Sequence, residues 1–266
     1  MPKIGVLTIH GMGEQEEDFD KHLREELDQR FPDEVRSDVV YESIWFSGLI
    51  QGRQDQVWGA MRDRQIDMHG LRKFFLYYFS DATTYVGRPD HAEAVYRKVH
   101  HCIRTRLDAL RQKLGGEDGP TVVIAHSLGC QVISDYIWDA AKGIGIWQGN
   151  APATEFQRLG TARYLLTCGC NIPLFVSGLP RIEAIERPNP RFRWINFFDR
   201  DDVLGWPLKP LSDGFDNAYA RTVDEDREIN VGGIMGLTPL SHTEYWKSAA
   251  FTSPVARLIE ELHAEG

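Results

Sequence analysis

The chain has 266 residues, 42% of them hydrophobic and 26% charged, with a formal charge of −9 at pH 7. This composition supplies a full core and excludes a disordered chain, while the acidic excess opposes nucleic-acid phosphates and anionic lipid headgroups as partners. The longest aromatic run, FFLYYF at 74–79, falls far short of the roughly 20 apolar residues of a membrane-spanning helix, and a single domain over residues 1–266 is expected at this length.

The opening MPKIGVLTIHGMG enters a β-branched run at once. It has no basic start, long apolar centre or small-residue cleavage site, which predicts a cytoplasmic location. In chain order, strands are expected at Ile4 to His10, Val39 to Ile44, Val122 to His126, Tyr164 to Cys168, Arg193 to Phe198 and Glu228 to Val231. Helical periodicity falls at Asp18 to Arg30, His91 to Leu114, Leu128 to Lys142 and Pro254 to Ala264. Such alternation predicts an α/β fold, a mostly parallel sheet with helices on both faces. Two segments interrupt it. The first, 48–87, reads as an aromatic helical insertion too long for a simple connection, either extra core or a lid. The second, Gly143 to Thr161, is rich in Gly, Ala and Pro and reads as a loop or short lid. Cys102, Cys130, Cys168 and Cys170 lie in or beside predicted elements, as reduced buried thiols do. The CGC pair lacks metal-ligand spacing, so no metal is expected.

Four stretches carry chemistry. In TVVIAHSLGCQVISDYIWD, Ser127 stands where a buried strand turns directly into a helix. A tight strand-to-helix reversal presents a serine hydroxyl above the sheet edge, with small residues two positions to either side, here Ala125 and Gly129. A plain helix N-cap is the rival reading of that serine. In IGVLTIHGMGEQ, Gly11 and Gly13 allow a loop whose Met12 N–H pairs with that of Leu128 around an oxyanion. A phosphate loop is disfavoured: no Gly-Lys-Ser/Thr ending follows, and Glu14, Glu16, Glu17 and Asp18 repel phosphate. Where known sheet proteins carry a nucleophilic serine on such a turn, the acid follows the serine in the chain and the base comes last, and His242 in GLTPLSHTEYW meets that condition. The acid belongs just past a strand between the two. WINFFDRDDVLGWPL offers Asp199, Asp201 and Asp202 there, and Asp202 is preferred because Val203, Leu204 and the GWPL turn anchor it against the core.

The stretches HGMG, AHSLG, DDVLGWP and SHTEYW, in that order, resemble the α/β-hydrolase superfamily and its lipase- and esterase-like serine hydrolases. The resemblance covers most of the chain and departs from the usual Gly-x-Ser-x-Gly at Ala125. It implies an α/β-hydrolase fold lacking the first strands, a catalytic triad of Ser127, Asp202 and His242, and an oxyanion hole of the Met12 and Leu128 N–H groups. The implied activity is hydrolysis of a carboxylic ester, with a small-molecule or lipid-like acyl substrate and no cofactor. The same residues serve an acyltransferase, thioesterase or amidase, and a binding module with a silent site is the reading from another class. Phe75 and Tyr78 in the insertion are expected to border the acyl pocket if that segment is a lid.

Overall fold

In the computed structural model six strands pair in parallel in the order β2-β1-β3-β4-β5-β6. They are β1 (Ile4–Ile9), β2 (Val39–Ile44), β3 (Thr121–His126), β4 (Ala162–Cys168), β5 (Arg193–Phe198) and β6 (Glu225–Glu228). The structure describes residues 3–13, 15–49, 52–62, 73, 76–77, 80–81, 85, 89–149, 153–211, 218–232 and 241–266. Every residue of β1 and β3 is buried, and their near-continuous apolar sequences suit strands covered on both faces.

The two-residue period of the strands divides the core between the faces. Leu7, Ile9, Val123, Ala125 and Leu165 pack under α4 (Pro89–Lys113) and α5 (Leu128–Lys142). Ile4, Val6, Val122, Ile124, Leu166, Ile195 and Phe197 pack on the other face, toward α1 (Lys21–Arg30) and α8 (Ala249–Ala264). On α4, Val99, Ile103, Leu107, Leu110 and Leu114 form one helical stripe, and each such side chain taken fully from water contributes about 1.5–3 kcal/mol. The shorter helices are α2 (Asp33–Asp38), α3 (Gly52–Arg62), α6 (Ile172–Val176) and α7 (Ala218–Thr222). Among the described residues no helix is long and apolar enough to cross a membrane.

Three expectations shift. The last strand is Glu225–Glu228, not Glu228 to Val231, and pairs Ile195 with Glu225 through Phe198 with Glu228. Hydrogen bonds from the Trp194 N–H to Asp224 and from the Asn196 amide to Asp226 fix this register. Ile229 and Val231 instead pack against the core from beyond the strand. Helix α8 begins at Ala249, five residues ahead of Pro254, because Ser248 caps it by accepting from the Ala250 N–H. The stretch Gly143 to Thr161 carries a 3₁₀ turn at Gly145–Trp147, and Ile146, Trp147, Phe156 and Leu159 are core residues, so its described part is anchored and no lid. Within 48–87, Tyr77 and Tyr85 are buried. Phe75 and Tyr78 lie outside the described residues.

The sheet order also locates the crevice. The chain runs outward from β1 to β2, then crosses back so that β3 lies on the other side of β1. Connections therefore diverge at the carboxyl ends of β1 and β3, the topological switch point where open parallel sheets bind ligands.

Candidate active site

β3 ends at His126 and α5 begins at Leu128, leaving Ser127 alone in the turn at φ 54°, ψ −123°. Few non-glycine residues take positive φ, and those that do are held by their surroundings. Here the Ser127 N–H donates to the Cys168 carbonyl at 3.1 Å, while the Ser127 carbonyl accepts from the Cys130 N–H at 2.9 Å. Ala125, in the position where glycine is usual, is buried in the core under α5. The helix packs closely on β1: a Cβ at Gly129 would lie 2.5 Å from the His10 carbonyl oxygen. The loop after β1 packs as closely on the turn, since a Cβ at Gly11 would lie 2.5 Å from the Ser127 Cβ. Met12 and Leu128 thus stand on two backbones pressed together around Ser127. Leu128 is the first residue of its helix, where N–H groups lack intrahelical acceptors and the dipole is positive.

Ser127, His242 and Asp202 form one hydrogen-bonded chain. The Ser127 Oγ lies 2.8 Å from His242 Nε2, and His242 Nδ1 lies 3.0 Å and 2.9 Å from the two Asp202 oxygens. An ionised carboxylate only accepts, so Nδ1 carries the proton and donates to Asp202, leaving Nε2 to accept from the Ser127 hydroxyl. All three residues are buried, each no more than 3% exposed. Burial acts to raise the Asp202 pKa, but hydrogen bonds from His242, the Leu204 N–H and Tyr245 outweigh it, and the net shift is downward.

The other two aspartates of the cluster have different work. Asp199 accepts from the Asp201 N–H at 2.9 Å and from the Val231 N–H at 2.7 Å, tying the end of β5 to the chain beyond β6. Asp201 is half-buried, and its N–H closes that turn. Of the residues expected to anchor Asp202, Leu208 of the GWPL turn is buried in the core, whereas Val203 is 66% exposed. The Asp202 carboxylate itself is held by the Leu204 N–H at 2.9 Å and the Tyr245 hydroxyl at 3.0 Å.

Tyr245 is a site residue that the motif reading passed over. Its hydroxyl donates to Asp202 and accepts from the Asp199 N–H at 3.0 Å, so one fully buried phenol braces the acid turn. A buried tyrosine needs a partner for its hydroxyl, but nothing in SHTEYW says which distant residue that partner is. His126 also serves the site. Its Nε2 lies 2.6 Å from the His242 carbonyl oxygen, to which it donates, and so it steadies the histidine loop. Burial depresses its pKa to about 3, which keeps the ring neutral. His10 acts as a post on the other side. Its Nε2 accepts from the Phe46 N–H at 3.0 Å, which assigns the proton to Nδ1 for donation to the Gly11 carbonyl at 2.6 Å. Burial lowers its pKa to about 4.

No protein-family model, curated protein or solved structure matches the chain.

Proposed function

We propose that the chain is a serine hydrolase of the α/β-hydrolase type, lipase- or esterase-like, acting on a carboxylic ester. The observation that carries this reading is the buried Ser127–His242–Asp202 chain, with contacts of 2.8 Å and 2.9 Å, on a strand-to-helix turn. The strand order supports the finer fold assignment, since the serine follows a central strand, the acid the fifth and the histidine the sixth.

In the proposed reaction the Ser127 Oγ attacks the ester carbonyl as His242 Nε2 takes its proton. The Met12 and Leu128 N–H groups hold the oxyanion of the tetrahedral intermediate. Collapse breaks the bond to the alkoxy group, which leaves as the alcohol with the proton returned by His242. Water then gives a proton to His242 and attacks the acyl-serine, and the second collapse releases the carboxylic acid and restores the serine. Asp202 keeps the ring in the Nδ1–H tautomer and stabilises the imidazolium formed at each step. The four free thiols, three of them buried, support a reducing, cytoplasmic setting for this chemistry.

A fluorophosphonate probe and a panel of p-nitrophenyl esters of increasing acyl length test the reading. Ser127 is expected to be labelled, and Ser127→Ala to lose labelling and at least about 10³-fold in kcat/KM while remaining folded. Labelling without ester turnover moves the chemistry to a thioester, an amide or acyl transfer. Absence of both from the wild-type chain makes the site a silent one.

A further inference from the structure

An oxyanion donor works only if its peptide plane is fixed before the charge develops. His10 and Ser127 fix the start of the Gly11–Gly13 loop from within the sheet. The end of the loop is fixed from elsewhere: the Gly13 N–H donates to Asp81 Oδ2 at 2.8 Å, across 68 residues of sequence. Asp81 belongs to the helical stretch at 80–81 within the 48–87 insertion and is 3% exposed. Its other oxygen accepts from Nε2 of Gln54 on α3, itself 5% exposed. Two limbs of the insertion thus grip one carboxylate, and that carboxylate grips the loop.

Such a carboxylate is a poor choice for simple packing. Burial pushes its pKa up, so the fold bears the cost of an acid where an apolar residue would sit more easily. Among the described residues, its two hydrogen-bond partners are the Gln54 amide and the loop N–H beside Met12.

We propose that Asp81 is a positioning residue of the oxyanion hole, through which the insertion holds the Met12 peptide in register with Leu128. The proposal rests on the hydrolase reading and gives the insertion a definite place in it. Asp81, with Gln54 behind it, is the part of the insertion that serves the hole.

The test uses the full chain and a p-nitrophenyl ester, with kcat and KM measured separately, the affinity for a trifluoromethyl ketone that binds as a charged hemiketal, and the melting temperature. Asp81→Leu is expected to lower kcat by about tenfold or more, to leave KM within about threefold, and to weaken the ketone by the same factor as kcat. Asp81→Asn keeps an acceptor for the Gly13 N–H and is expected to restore kcat to within about threefold of wild type. If Asp81→Leu does not fold, Asp81→Ser, whose hydroxyl falls short of the loop, is judged by the same criteria. A folded variant with a lower melting temperature but unchanged kcat and ketone affinity overturns the proposal, as does Asp81→Asn impaired as deeply as Asp81→Leu. A wild-type chain that is unlabelled at Ser127 and inactive sinks the hydrolase reading itself, and this proposal with it.

Discussion

At the scale of single residues the two buried aspartates after β5, Asp199 and Asp202, differ in what their oxygens accept. Asp202 accepts from the His242 ring, the Leu204 N–H and Tyr245, whereas Asp199 accepts backbone N–H groups alone. Replacing a triad carboxylate by its amide favours the wrong histidine tautomer, so Asp202→Asn is expected to lower kcat/KM by about 10² to 10⁴-fold. Asp199→Asn and Asp201→Asn are expected to stay within about tenfold. Asp199→Asn should reveal itself in the melting temperature, because its amide group meets two N–H donors with one acceptor fewer. A ranking with Asp199 or Asp201 first moves the role to that neighbour. Ser127, His242 and Asp202, which the fold brings into one hydrogen-bonded chain, were legible because each stands in a recognisable local setting: a strand-helix turn, a late loop, a strand exit. Tyr245 and His126 were not, since they act through a hydroxyl and a ring nitrogen on atoms 43 and 116 residues away, and no local pattern reports such a pairing.

At the scale of elements, the strand-turn-helix unit depends on how closely α5 approaches β1. Gly129→Ala would drive a Cβ to within 2.5 Å of the His10 carbonyl, against backbone that does not swing away. Overpacking of this kind costs about 1–3 kcal/mol or more, and here it also shifts Leu128 relative to Met12. The variant is expected to lose that much in a urea unfolding series and at least about tenfold in kcat. Gly143→Ala is the control: Gly143 closes the other end of α5 at φ 66°, with nothing within 4 Å of an added Cβ. It should cost only about 1 kcal/mol of backbone strain and leave kcat alone. Equal losses of kcat at the two positions would show that helix stability, not its approach to β1, governs the site. Element positions were legible where apolar spacing is regular, as along α4 and α5. β6 was not, because its sequence EDRE is polar and its register is held by the side chains of Asp224 and Asp226.

For the molecule as a whole, function and stability meet in histidines that the fold keeps uncharged. His10 has its pKa lowered by burial to about 4, against 6.5 in the unfolded chain. A depressed histidine contributes stability that is complete above the unfolded pKa. As pH falls from 6.5 toward 4 the unfolded chain gains a proton that the folded one does not, and the contribution drops by about 1.4 kcal/mol per pH unit. The stability gap between wild type and His10→Gln, measured from urea midpoints, is therefore expected to be about 2 kcal/mol smaller at pH 5 than at pH 7. A gap that does not change with pH would mean that the buried ring titrates as it does in the unfolded chain, and a gap that widens toward pH 5 that the fold holds it protonated. The parallel, two-faced architecture was readable from strand-helix alternation, yet the contact of Asp81 with the Gly11–Gly13 loop was not, since Asp81 sits in an aromatic run whose pattern speaks only of packing.

The distance along the chain between Ser127 and His242, 115 residues, bears on how the protein is made. Ser127 is synthesised near the middle of the chain, while His242 arrives only with the loop after β6. Pairings this remote in sequence form late and slowly, so a nascent or half-folded chain holds the serine without the means to activate it. On the proposed chemistry no acyl-serine can form on an incomplete molecule, and a fluorophosphonate label counts finished chains. Labelling followed during refolding would then serve as a clock for the last event of assembly.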